Sequence, residues 1–177
     1  TKRIICVSEF IARSISKDHE IPRDKFAVLR NCIDAKRFSG KISNEEKESI
    51  KKKYGIAPDD KILIFTGRIT PEKGVKELIE SLKYVKYKNY KLLILGSALN
   101  ELKTKTEYQE QIEDEVKKIS DKVIFTGFIK YDEINTFYAL ADIAVLPSIW
   151  NDPAPLTIIE SLMSGLPIIT TNSGGIP

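Results

Sequence analysis

The stretch Ile62-Leu63-Ile64-Phe65-Thr66-Gly67-Arg68-Ile69-Thr70-Pro71-Glu72-Lys73-Gly74 decides the fold. Its apolar run at 62–65 is too short for a helix and too continuously apolar for a strand with one wet face, so it reads as a strand buried on both sides. Gly67 follows the run, and Thr70 with Pro71 then marks a helix start, Thr70 as N-cap and Pro71 at the first helical position. The helix continues as the stripe Val75, Leu78, Ile79, Leu82 and Val85, spaced by threes and fours. Strand, glycine turn and helix in that order form one unit of a parallel α/β sheet.

The same unit recurs downstream. Short apolar runs at 92–95, 123–125, 143–146 and 168–169 alternate with helical stripes. The stripes are Ile112, Val116, Ile119; then Ile134, Phe137, Leu140, Ala141; then Ile158, Ile159, Leu162, closed by Gly165 as a C′ glycine. This alternation predicts an α/β fold, a Rossmann-like doubly wound parallel sheet with right-handed crossovers. Ligands of such sheets sit beyond the carboxyl ends of the strands, so the loops after strands are where chemistry is sought.

The beginning of the chain is organised differently. Residues 4–7 read as a strand, Phe10, Ile11 and Ile15 as a helix face, 26–29 as a second short strand, and 44–54 as a charged helical connector. Residues 31–41 lack a clear period and read as a linker. Both ends lie close against strands, Ile4-Ile5-Cys6-Val7 at one and Gly174-Gly175-Ile176-Pro177 at the other, and are expected to be boundaries of a larger protein's fragment.

Composition excludes several functions. Lys and Arg number 28 against 25 Asp and Glu, mixed along the chain, so no basic face is massed for nucleic acid. At a net charge of +3, attraction to an anionic membrane surface is weak. Cys6 and Cys32 stand apart with no CxxC or Cys/His spacing, which argues against a disulfide framework or a zinc site and for reduced, cytoplasmic thiols. No signal peptide is visible, and no apolar run approaches the roughly 20 residues that span a bilayer. Asp59-Asp60 reads as a polar turn, no D-x-D follows a strand, and His19 reads as a surface residue, so no metal ligands are assigned.

Two loops after strands carry candidate chemistry. In the Gly67 to Gly74 turn, a glycine allows close backbone approach, a helix start offers free N–H groups, and Arg68 and Lys73 add cations. That set suits a diphosphate. It also fits a capped helix start with two solvated cations, and it is not a P-loop, because GxxxxGK[ST] is absent. After the run at 143–146 comes Pro147-Ser148-Ile149-Trp150-Asn151-Asp152-Pro153-Ala154-Pro155-Leu156-Thr157-Ile158-Ile159-Glu160. Asp152 and Glu160, with the N–H groups between them, can bind hydroxyls and phosphate together. Equally, Asp152 can be an N-cap and Glu160 a helix acid paired with a cation.

The motifs taken in order, VSEF, N-C-I-D, GRITPEKG, TGF, Asp152 ahead of Glu160 in LTIIESLMSGLP, and GGIP, resemble the retaining nucleotide-sugar glycosyltransferases of family 4 (group 1). The resemblance covers essentially the whole chain and implies one half of the two-domain GT-B fold. It implies residues 1–34 as a remnant of the N-terminal acceptor domain, 35–60 as linker and connecting helix, and 61–177 as a nucleotide-sugar-binding domain truncated at its C-terminus. By the resemblance Arg68 and Lys73 meet the donor diphosphate, Asp152 the hydroxyls of the transferred sugar, and Glu160 the ribose. Gly67 and the backbone at Leu156 and Thr157 approach the phosphates, and the backbone at Phe128 and Ile129 meets the base. The donor is a UDP- or GDP-linked sugar, with no cofactor and no metal.

Asp152 stands where the family has Glu, Pro155 where it often has Gly, and Cys32 in place of the Gly of N-G-V-D. The first two departures bear on the donor sugar, not on the diphosphate. The resemblance implies a hexosyltransferase serving glycan or polysaccharide assembly, its acceptor a glycan or lipid-linked molecule held by the missing domain. The fragment alone is expected to be inactive, and the full-length protein cytoplasmic or peripheral at the inner face of the membrane. A sugar-nucleotide epimerase or phosphorylase of the same fold, or a non-catalytic partner subunit, are the alternatives. No cofactor-lysine signature supports a phosphorylase, and intact Arg68, Lys73 and Glu160 argue against a decayed subunit.

Overall fold

The computed structural model describes residues 2–40, 42–96, 107–119 and 121–177. In chain order the elements are β1 (Ile4–Cys6), α1 (Glu9–Asp18), β2 (Phe26–Val28), α2 (Ala35–Phe38), α3 (Asn44–Lys53), β3 (Lys61–Thr66), α4 (Val75–Ser81), β4 (Tyr90–Leu95), α5 (Glu107–Lys117), β5 (Val123–Gly127), α6 (Ile134–Leu140), β6 (Ile143–Leu146), α7 (Leu156–Met163) and β7 (Ile168–Thr170).

Five strands form one parallel sheet in the order β5-β4-β3-β6-β7. The apolar runs at the centre of the sheet become strands because both faces are covered, while at its flanks Phe125 of β5 and Ile169 of β7 stay exposed. Along β4, Leu92 and Ile94 join Val75, Leu78, Ile79 and Ile112 beneath α4 and α5. Leu93 and Leu95 turn the other way, toward Ile62, Ile64, Phe137 and Tyr138 beneath α6. Successive side chains pointing to opposite faces, each face roofed by helices, make every position of such a strand apolar. The sheet is the Rossmann-like, doubly wound parallel sheet that the periodicity predicts.

The order of strands also locates a crevice. The chain winds outward from β3 to β4, with Phe65 opposite Ile94, and on to β5, then returns to place β6 on the other flank of β3, Leu63 opposite Ile143. Two connections therefore leave neighbouring strands in opposite directions, and their loops part beyond the carboxyl ends of β3 and β6.

The first residues make a smaller layer. β1 and β2 pair in parallel, Ile5 opposite Ala27, and Cys6, Ala12 and Phe26 form their own buried cluster with α1. α1 begins where Ser8 Oγ accepts from the Ile11 N–H at 3.3 Å. Seven of the ten residues of α3 are charged; it opens on a reciprocal capping box between Ser43 and Glu46 and packs Ile50 on the core.

Two segments differ from the sequence reading, and Leu162 of the α7 stripe and Ile169 of the last apolar run, both read as buried, are exposed. Residues 31–41 lack a period, yet Asp34 caps the single turn α2, whose Phe38 is buried with its ring edge-on to Tyr131 at 6.0 Å and Tyr138 at 5.9 Å. One turn is too short to show a period, so the sequence hides it. Val85, counted in the first helical stripe, is exposed. After Ser81 the chain tightens into a 3-10 turn, Leu82–Tyr84, with Val85 N–H bonded to the Leu82 carbonyl at 3.0 Å, and the change of pitch rotates Val85 off the buried face.

Phe38→Ala should therefore cost about 3 kcal/mol, as expected for an aromatic removed from a packed core and not from a linker. Urea unfolding of the two proteins measures it, and a loss near zero would return residues 31–41 to linker status.

Candidate functional site

The loops after β3 and β6 meet across the crevice. Pro71 opens a 3-10 turn, Pro71–Lys73, and Gly74 then takes φ +70° before α4 begins. Thr70 precedes Pro71 as expected but makes no side-chain cap; its Oγ1 is buried without a hydrogen-bond partner among the described residues. The reason is that one 3-10 turn, not an α-helix, starts at Pro71. A Cβ on Gly74 would lie 2.1 Å from the Pro147 carbonyl oxygen, so only glycine fits there, on both sterics and φ. The Glu72 carbonyl accepts from the Ile149 N–H at 3.0 Å and from Ser148 Oγ at 3.2 Å, joining the loops backbone to backbone.

The loop after β6 is held from two more sides. Thr171 Oγ1 donates to the Ser148 carbonyl at 2.6 Å, and the Gly175 N–H donates to the Asp152 carbonyl at 2.7 Å. From the small layer, Asn31 Nδ2 donates to the Ala154 carbonyl at 2.9 Å.

Between the loops lies a cavity of about 220 Å³. Gly67, Arg68, Lys73, Asp152, Leu156 and Thr157 all line it, so six residues singled out in the sequence converge there. Lys73 Nζ pairs with Asp152 Oδ2, at side-chain exposures of 21% and 8%. Arg68 is freer, 51% exposed, with Glu72 Oε1 at 3.9 Å. Asp152 is not the cap of α7: Pro155 holds that position, and no side chain caps this helix. The Ile158 N–H meets the Pro155 carbonyl at 3.3 Å, and the N–H groups of Leu156 and Thr157, with the positive dipole end of α7, are left to whatever the cavity holds.

Glu160 lies elsewhere. It is 3% exposed, does not line the cavity, and does not pair with a cation among the described residues. Its Oε2 accepts from the Tyr138 hydroxyl at 3.0 Å, and that hydroxyl meets Thr66 Oγ1 at 2.7 Å. Burial raises the Glu160 carboxyl above its ordinary range, opposed by the Tyr138 hydrogen bond, while burial and the neighbouring Glu160 push the Tyr138 phenol far up. Phe128 and Ile129 follow β5 on the same rim of the sheet but outside the cavity, Phe128 exposed and Ile129 packed on the core beneath α6. Sequence reasoning passed over Thr66 and Tyr138. A polar residue ending an apolar strand was the available signal for Thr66; Tyr138 stands beside the stripe Ile134, Phe137, Leu140 and Ala141, where a sequence cannot tell it from a core aromatic.

The chain belongs to the glycosyl transferases of group 1, whose family model matches residues 46–177. It is 29% identical over 177 residues to the uncharacterized glycosyltransferase MJ1607 of Methanocaldococcus jannaschii, covering 98% of this chain and 43% of that protein. It is 25% identical over 177 residues to the lipopolysaccharide 1,2-N-acetylglucosaminetransferase of Salmonella typhimurium, covering 98% and 45%. Among solved structures, Anabaena HepE in complex with UDP-glucose superposes with a TM-score of 0.85 at 20% identity, covering 99% of this chain and 46% of that one. The fold is thus one half of a GT-B architecture. The chain spans less than half the length of the curated relatives it matches. Among the described residues no helix is long and apolar enough to cross a membrane.

The raised Glu160 carboxyl has a measurable consequence. The folded state then holds its proton more tightly than the unfolded one, so its contribution to stability is whole below the ordinary carboxylate range and is lost as pH rises toward the raised value. Glu160→Gln, which cannot ionise, should raise the melting temperature relative to wild type at pH 7.5 and by clearly less at pH 4. Thermal melts at the two pH values check this; an equal difference at both would mean that Glu160 ionises normally in the fold.

Proposed function

We propose that the cavity binds the diphosphate of a UDP- or GDP-linked sugar and that the full-length protein transfers that sugar, with retention, to a glycan or lipid-linked acceptor. The observation that carries this reading is the convergence of Arg68, Lys73 and the uncapped start of α7 on one cavity that Gly67 also lines. HepE, solved with UDP-glucose, supports a UDP-linked donor, and the Salmonella lipopolysaccharide enzyme supports a place in glycan assembly.

In this reading Arg68 and Lys73 approach the phosphates together with the backbone of Gly67, Leu156 and Thr157. Lys73 exchanges part of its bond to Asp152 for a phosphate oxygen, and Asp152 turns to the hydroxyls of the transferred sugar. Glu160 accepts from the ribose, and the backbone at Phe128 and Ile129 meets the base. The bond from C1 of the sugar to the diphosphate breaks as C1 bonds to the acceptor oxygen, the acceptor's hydroxyl proton passes to the departing diphosphate oxygen, and nucleoside diphosphate leaves. Cations and a helix end aimed at that leaving group stabilise charge that grows toward the transition state, without a metal. Residues 1–34 are the end of the acceptor domain, 35–60 connect it, and 61–177 carry the donor. An acceptor held at a membrane would bring the full-length protein to the inner face of that membrane.

Arg68→Ala should weaken the nucleoside diphosphate by roughly 1.5 to 3 kcal/mol, the range for hydrogen bonds to charged groups, and leave the bare nucleoside almost unchanged. Lys73→Ala should do the same and also lower the melting temperature, because it strands the buried Asp152 carboxylate. Calorimetry with both ligands decides it: equal losses for nucleoside and diphosphate would move the phosphates out of this cavity.

A further inference from the structure

Thr66, Tyr138 and Glu160 form a polar chain inside an otherwise apolar layer. Tyr138 is fully buried among Phe38, Phe137 and Leu140, and Thr66 and Glu160 are nearly so. A phenol has one proton, and here it goes to Glu160 Oε2 at 3.0 Å. The Thr66 proton must then point to the phenol oxygen, 2.7 Å away. The direction of the whole chain follows from the carboxylate at its end, and each bond polarises the next.

Two groups are left as acceptors. Glu160 Oε1 has no hydrogen bond among the described residues. Thr66, a cavity-lining residue, has spent its only donor. Around it, Arg68, Lys73 and the first backbone N–H groups of α7 offer donors, with Asp152 as the carboxylate paired to Lys73. Thr66 is thus an acceptor next to a group of donors, on a different part of the wall from Asp152.

Resting on the donor-site reading above, we propose that Tyr138 is a positioning residue: its single hydroxyl fixes Glu160 with Oε1 free and leaves Thr66 only able to accept. Thr66 on the cavity wall, with Glu160 joined to it through Tyr138 just outside that wall, then selects a ligand hydroxyl, and a ribose without hydroxyls forfeits the preference. Tyr138 itself touches no ligand.

The test uses the full-length protein with uridine or guanosine diphosphate, whichever the wild type binds, and the 2′,3′-dideoxy counterpart. Wild type should prefer the hydroxylated ligand by roughly tenfold or more, and Tyr138→Phe should bring that ratio toward one while affinity for the dideoxy ligand stays within about twofold. An intact preference in Tyr138→Phe, or a parallel loss of both ligands as a merely structural role would give, overturns the proposal. So does a wild type that binds the diphosphate with no preference, although the donor site itself then stands. A wild type that binds neither diphosphate removes the donor-site reading and the proposal with it. Should Tyr138→Phe fail to fold, Thr66→Val decides: the preference should fall by roughly threefold as the far end of the chain is lost, and an unchanged ratio overturns the idea.

Discussion

The turn after β3 and the loop after β6 lie main chain against main chain, with the Glu72 carbonyl bonded to the Ile149 N–H and Gly74 pressed on Pro147. Buried backbone polar groups must find partners, and here each loop supplies those of the other. The width of the crevice is set by this contact. Lys73 is the last residue before Gly74 and α7 starts where the loop after β6 ends, so this contact, together with the Lys73–Asp152 pair, holds cation and helix end at the same crevice. A side chain at position 74 would wedge the loops apart and move both at once.

Charge is distributed around that contact in a consistent way. Lys73 is partly buried, and a partly buried ammonium needs a counter-charge; Asp152 is that group. Arg68, more exposed, needs none and is the more available of the two. Glu160 sits deeper, where burial works against ionisation, and among the described residues it is a phenol that donates to it. The acid near the cations and the acid far from them therefore have different environments although they lie on one loop and helix. That difference, more than their spacing, is what lets one serve as an ion partner and the other as the end of a hydrogen-bonded chain.

The sheet could be read from the chain because a strand covered on both faces has to be apolar throughout, as residues 92–95 are, and the helix stripes have to match it. The convergence of Gly67, Arg68, Lys73, Asp152, Leu156 and Thr157 was also within reach, since topology brings the loops after β3 and β6 together. What stayed hidden depends on contacts between residues far apart in sequence. Thr66 and Tyr138 are joined across 72 positions, and no local period marks either. Phe38 is silent for a related reason, because a single helical turn has no repeat to display. Thr70 was misjudged because Thr-Pro looks the same ahead of an α-helix and ahead of one 3-10 turn.

Of the two thiols in the chain, Cys6 is buried in the small layer and Cys32 is exposed. Cys32 follows Asn31, whose amide holds the Ala154 carbonyl of the loop after β6. A maleimide dye would therefore attach at one place, next to the tether between the small layer and the crevice. Its emission would report, in real time and without any engineered residue, whether that tether holds when a nucleoside diphosphate is added.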